Sequence, residues 1–232
     1  MASSGQRKDQ EQTRAGRNLA NFAPLAGPAA AVLFAASVVG FAAARTDGYT
    51  HGTKAVSELG AHGAPLAAGF NAAGFIAPGI LVVVMAFIGY GRVTAPRMAG
   101  PVLLGLSGIS LAAAGIFPVD MEARSSLSSQ LHLAGAMLSG LLWALSLFWI
   151  APQLRKQHQF SMIGRLTPWF ALFLVANIGW QIVWQATGAL LPGWGQRIAF
   201  AGYFLWLGII GSLLLIRQAG SAAAEDVQRE SR

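Results

Sequence analysis

His51 and His62, Asp47 and Glu58, Ser57 and Tyr49 all fall in one polar interval, residues 45–62, of a chain that is otherwise mostly hydrocarbon. Two further groups of the same kind lie beyond it: Asp120, just after Phe117-Pro118, and His132, just after the serine run Ser125, Ser126, Ser128 and Ser129. Imidazole and carboxylate are the ligands and the acid–base groups of metal-dependent hydrolysis. His62, Asp120 and His132 are the candidate ligands for zinc or another divalent metal with one position left open, and Glu58 is the candidate general base. Glu58 and His62 are four residues apart and share a face if the segment is helical, although Gly60, Gly63 and Pro65 keep any helix there short. No dense ligand motif such as HExxH is present. The alternative use of the same residues is structural: Lys54 with Glu58 and Asp120 with Arg124 as loop ion pairs, and the histidines as helix caps or solvated side chains.

A second polar feature stands apart from the first. Asn177, Gln181 and Gln185 recur every four residues and form one stripe on an apolar helix. Amides within a membrane span face protein or a watered cavity, because exposure to lipid costs several kcal/mol. The stripe therefore either lines a ligand-binding interior, with Asn71 as a fourth member, or glues helices together.

The elements that must position these groups are legible from hydropathy. Of 232 residues, 54% are hydrophobic and 11% charged, against about 25% charged in a soluble domain, so the surface must face lipid. Apolar runs at 22–44, 66–89, 99–117, 131–151, 168–187 and 197–216 are each long enough to cross about 30 Å of hydrocarbon. The first could also be read as a signal peptide ending at Ala42-Ala43-Ala44, but it exceeds the usual apolar length of about 7–15 residues. The predicted architecture is an all-α membrane protein of six transmembrane helices over 22–217. Disordered polar tails are expected over 1–21 and 218–232. Pro152 is expected to stop the fourth span, and Pro78-Gly79 to kink the second.

Charge sets the orientation. Twelve of the sixteen Lys and Arg lie in the two tails and in the second–third and fourth–fifth loops, and only Arg45, Lys54, Arg124 and Arg197 lie on the other side. The positive-inside rule then puts both termini in the cytoplasm and the histidine–carboxylate groups outside. The net charge of +7 is spread over tails and loops with no basic patch interleaved with aromatics, which excludes a nucleic-acid partner. The chain has no cysteine, so thiol chemistry is excluded.

Three patches carry a family likeness. They are Ser57-Glu58-Leu59-Gly60 followed by Phe70-Asn71-Ala72-Ala73-Gly74-Phe75; Gly115-Ile116-Phe117-Pro118-Val119-Asp120; and His132-Leu133-Ala134-Gly135-Ala136. With the six-span spacing, they make the chain resemble a bacterial membrane family catalogued as domain of unknown function 998. The resemblance implies a bacterial plasma membrane and membrane lipids as surroundings, and it brings no established activity. The span number is similar to that of a wider group that includes eukaryotic lipid-remodelling factors. The set Ser57, Asp120, His62 and His132 also echoes the alkaline-ceramidase-like zinc hydrolases, which adds Ser57 as a candidate catalytic residue. Those proteins have seven spans and a paired-histidine motif in the last, whereas the sixth span here has no histidine.

Two functions follow as expectations. One is metal-dependent hydrolysis or remodelling of a lipid in an outward-facing polar pocket. The other is non-enzymatic: binding or transport of a solute or lipid, or assembly with a membrane-protein partner or a second copy of the chain. No Asp, Glu, Lys or Arg sits in mid-span, which speaks against an ion-coupled carrier.

Overall fold

Lipid offers a backbone amide no partner, so a chain this apolar must close its hydrogen bonds inside helices. The computed structural model describes residues 22–90, 98–187 and 192–230, without the side chains of 184–185, 192, 221–227 and 229–230. Every regular element among them is helical. Six helices are long and apolar enough to cross a membrane: α1, Ala23–Ala43; α2, Ala67–Gly89; α3, Ala99–Ile116; α4, Leu127–Arg155; α5, Ser161–Ala186; and α6, Pro192–Glu230. The tail expected over 1–21, the loop residues Arg92 and Arg97, and the Gln185 side chain lie outside the described residues.

The helices pack in chain order, and α6 returns against α1 to close the set. Aromatic rings fill the interior: Phe34, Phe70, Phe75, Tyr90, Trp143, Tyr203, Phe204 and Trp206 are all buried. Phe34 stacks on Phe204 with centroids 4.4 Å apart, and Trp143 lies 5.0 Å from Tyr203. The Ser107 hydroxyl donates to the Ser139 carbonyl at 2.8 Å and lies 2.9 Å from the Tyr203 hydroxyl, so one side chain ties α3, α4 and α6 together. Large apolar side chains on the outer faces, such as Trp169, Val175 and Ile182 of α5, are exposed, as contact with lipid requires.

Where helices approach most closely, glycine makes room. A Cβ on Gly79 would come within 2.5 Å of the Gly108 carbonyl oxygen, and one on Gly108 within 2.6 Å of the Gly79 oxygen. The α2–α3 crossing is thus built backbone to backbone.

Proline shapes the spans in ways that differ from expectation. The irregularity at Pro78-Gly79 takes the form of a π segment, Asn71–Ile76, which lets Pro78 fall in the first turn of the renewed α-helix, Ala77–Val84. Pro152 does not end α4, which runs on to Arg155. The ring forfeits one backbone bond a turn before the end, and burial of Ile150, Ala151 and Leu154 outweighs it. Helix α5 begins at Ser161, so Pro168 lies inside it. Pro168 has no N–H for the Gly164 carbonyl one turn earlier, and Arg155 Nε donates to that oxygen at 3.0 Å instead. Helix α6 continues past 216 through the stretch expected to be a polar tail, to Glu230. Its 39 residues span about 58 Å.

Candidate functional site

The polar residues gather at the end of the bundle that carries the 44–66 loop, the 117–126 loop and the first turn of α6. Within the first loop, Arg45 forms an ion pair with Asp47, Nε donating to Oδ1 at 2.8 Å, and Nη1 donates to the Glu58 carbonyl at 3.1 Å. Hydrogen bonding to Arg45 holds the Asp47 carboxyl below its ordinary range. Glu58 Oε1 accepts from the Ala55 N–H at 2.9 Å and so closes the start of a short 3-10 turn, Val56–Gly60. Its other oxygen lies 3.4 Å from Lys54 Nζ. The candidate base is thereby occupied as a cap and ion-pair partner, which matches the structural alternative. For Ser57, among the described residues, no hydrogen bond joins its hydroxyl to a histidine or carboxylate; its backbone N–H lies 3.4 Å from Gln196 Oε1.

The expected metal ligands do not form a metal-holding group, and among the described residues no three His, Asp or Glu side chains do. The reasons are local. Asp120 Oδ1 accepts from the N–H groups of Glu122 and Ala123, both at 2.9 Å, so the carboxylate closes its own turn rather than pairing with Arg124. Those two bonds hold its carboxyl below the ordinary range, with a smaller contribution from nearby His62. The His62 side chain is exposed, while its backbone N–H donates to the Val119 carbonyl at 2.8 Å and joins the two loops.

His132 has a different task. It is buried in the first turns of α4, with Nδ1 2.7 Å from the Ala114 carbonyl and 3.1 Å from that of Phe117. The ordinary partner of the Ala114 oxygen is the N–H four residues on, which is Pro118 and has none. His132 Nδ1–H therefore caps the end of α3 from the neighbouring helix. The serine run completes the junction as a helix start: Ser126 is the N-cap of α4 and accepts from the Ser129 N–H at 3.2 Å, and Ser128 donates to the Pro118 carbonyl at 2.7 Å.

The amides separate into two places. Asn71, buried at the top of α2, donates through Nδ2 to the Gly60 carbonyl at 2.8 Å and anchors the first loop. On α5, Gln181 Nε2 donates to Asn177 Oδ1 at 2.7 Å. The Gln181 amide packs on Gly195 of α6, where a Cβ would come within 2.4 Å of Oε1. For Gln181 this is a helix-joining contact.

Three residues that sequence reasoning passed over hold the first loop in place. Gln196 Oε1 accepts from the Val56 N–H at 2.9 Å. Arg197 donates to the carbonyls of Lys54 and Gly193, both at 2.9 Å, to the Tyr49 hydroxyl at 2.6 Å and to His51 Nδ1 at 3.1 Å. Gly193 lets the loop sit down, because a Cβ there would meet the carbonyl oxygens of His51, Lys54 and Gly52 at 2.2, 2.6 and 2.7 Å. Burial, and then the Arg197 charge, lower the His51 pKa, while burial raises that of the Tyr49 phenol despite the bond from Arg197. The available signal was the run Pro192-Gly193-Trp194-Gly195-Gln196-Arg197, where two glycines alternate with large or polar residues at a helix start.

The patches that carried the family likeness are thus one junction. Gly60 meets Asn71, a Cβ on Gly115 would lie 3.0 Å from the Asn71 oxygen, the His132 ring lies 5.9 Å from Phe75, and a Cβ on Gly135 would press on Ser110 and Ala114 of α3. No curated protein and no solved structure matches the chain. A family model described as protein of unknown function (DUF998) matches residues 29–213, and the chain belongs to that family.

Proposed function

We propose that this multi-pass membrane protein is a non-catalytic lipid-binding protein that receives an acyl chain on its flank. The observation that carries the reading is a groove of about 400 Å³ between α1 and α6, lined by Ala31, Phe204, Leu205, Gly208, Ser212 and Leu213. Its size falls within the range of small-molecule sites, about 300–1,000 Å³. It opens sideways at mid-span, where the surrounding medium is hydrocarbon, so an acyl chain is the occupant its chemistry fits. The Glu58, Asp120 and His132 side chains, by contrast, are engaged in capping turns and helix ends, which supports binding over hydrolysis. The charge distribution supports placing both termini in the cytoplasm.

Gly208→Leu tests this. A Cβ at 208 would lie 3.7 Å from Ala31 Cβ, an ordinary contact, so the side chain enters the groove without moving the helices. Native mass spectrometry of the detergent-purified protein should show lipid adducts on the wild type that Gly208→Leu and Ser212→Leu lose. Retention of the adducts in both variants sinks the proposal. Conversion of a wild-type dimer to a monomer, with no change in lipid, would mean that a second copy fills the groove.

A further inference from the structure

A row of residues on α6 leads from the groove to the polar end of the bundle. Arg197, Ala201, Leu205, Gly208 and Ser212 follow at intervals of three and four and so lie along one side of the helix. Ala201 and Leu205 are exposed, so among the described residues no side chain closes the path above the groove. Arg197 stands about 12 Å above Leu205 along the helix. Trp194, one turn further up and 48% exposed, is the kind of side chain that rests among lipid headgroups, and its ring lies against Gly52 of the first loop.

The charge at the top of this row has no counter-ion among the described residues. Among the described residues, the ion pairs are Arg45–Asp47 and Lys54–Glu58, which use two carboxylates of the first loop on other cations. Every acceptor Arg197 meets is neutral: two backbone carbonyls, a phenol and an imidazole nitrogen. Those bonds fix the guanidinium in position without neutralising it. The residue is only half-buried, so its charge reaches the surface where headgroups lie.

We infer that the α1–α6 flank selects an anionic phospholipid, with the net negative charge of its headgroup drawn to Arg197 and one acyl chain lying in the groove below. The inference rests on the lipid-binding reading and adds the headgroup class. Fixed charge and fixed groove stand at the separation of a headgroup from the middle of its chain, so one molecule satisfies both. The Tyr49, His51 and Lys54 contacts then serve to hold a cation at headgroup depth.

The test is binding of phosphatidylglycerol against phosphatidylcholine to the full-length protein in detergent, by native mass spectrometry titration. One added cation near the membrane surface corresponds to a preference of about fivefold for the anionic lipid. The wild type should show it, Arg197→Lys should keep it, and Arg197→Gln should bring the two lipids to parity with phosphatidylcholine binding unchanged. Because Arg197→Gln also loosens the first loop, Tyr49→Phe and His51→Ala serve as controls that weaken the same contacts and retain the charge. They should keep the preference; its loss in them would overturn the inference, since loop position and not charge would then set it. Equal binding of both lipids by a wild type whose adducts Gly208→Leu still abolishes overturns the headgroup assignment alone. Adducts indifferent to Gly208→Leu overturn the groove reading beneath it. Competition by free glycerol phosphate as effective as that by the whole lipid would make this an anion site and overturn the inference as well.

Discussion

If His132 is a cap for a carbonyl that Pro118 leaves without a partner, the cost of removing the histidine should depend on the proline. His132→Leu keeps an apolar side chain of similar reach but no donor, and strands the Ala114 and Phe117 oxygens that now lie 2.7 and 3.1 Å from Nδ1. An unsatisfied buried acceptor costs about 1–3 kcal/mol, and loss of the ring contact with Phe75 adds about 0.5–1.5 kcal/mol. The expected destabilisation is roughly 1.5–4.5 kcal/mol on those terms. Pro118→Ala supplies the missing N–H and frees Phe117, now extended at φ −107° and ψ 91°, to take helical angles. In that background the Ala114 oxygen can bond within its own helix, and His132→Leu should cost about 1 kcal/mol less. The assay is reversible unfolding of the four proteins of the cycle in mixed micelles of rising sodium dodecyl sulfate fraction. His132→Gln, which keeps an N–H donor, should recover part of the loss. Strict additivity of the two substitutions would refute the capping argument.

The same logic applies at the other proline: Arg155→Met should destabilise by about 1–3 kcal/mol by orphaning the Gly164 carbonyl, and Pro168→Ala should blunt that loss in the same unfolding assay. Gly108→Val should cost at least about 1–3 kcal/mol through overpacking against the Gly79 backbone, whereas Gly179→Ala, at a position whose Cβ meets nothing within 4 Å, should leave the unfolding midpoint unchanged or slightly raised. Burial, and then the Arg197 charge, disfavour the protonated imidazole of His51 and hold its folded pKa below the ordinary 6.5, so the folded state binds fewer protons than the unfolded one. Its contribution to stability is then present above that ordinary value and lost as pH falls through the depressed one. Tryptic cleavage at Lys54 should accelerate between pH 7 and pH 5 after correction for trypsin's own pH profile, and His51→Ala should flatten the response. Elemental analysis of protein purified without chelator should give the same metal content for wild type, His62→Ala and Asp120→Ala; one equivalent lost in both variants would restore the metal reading.

Hydropathy was sufficient for the six spans because lipid imposes helix on any apolar run of that length, whatever its neighbours. Boundaries at proline were less legible. Pro152 reads locally as a stop and Pro168 as a start, and what decides otherwise is packing and, for Pro168, a donor from another helix. The polar end was visible as a concentration of His, Asp, Glu and Ser, and the types alone suit either catalysis or capping. What separates the two is the partner of each side chain. Glu58 and Asp120 meet N–H groups within three residues, a local pattern that could have been read as capping. The partners of Gln196 and Arg197 lie about 140 residues away in the chain, and no spacing rule reaches that far.

That separation also has a consequence in time. The contacts that fasten the first loop to the start of α6 pair residues made early in synthesis with residues made nearly last. Until the sixth span enters the bilayer, Val56 and Leu59, both buried in the finished protein, have no Gln196 or Arg197 to hold their turn in place. Closure of the polar end is therefore a report that all spans have been delivered. A chain halted after the fifth would present an unfastened loop with an apolar face at the membrane surface, a mark by which quality-control proteases could tell an incomplete molecule from a finished one.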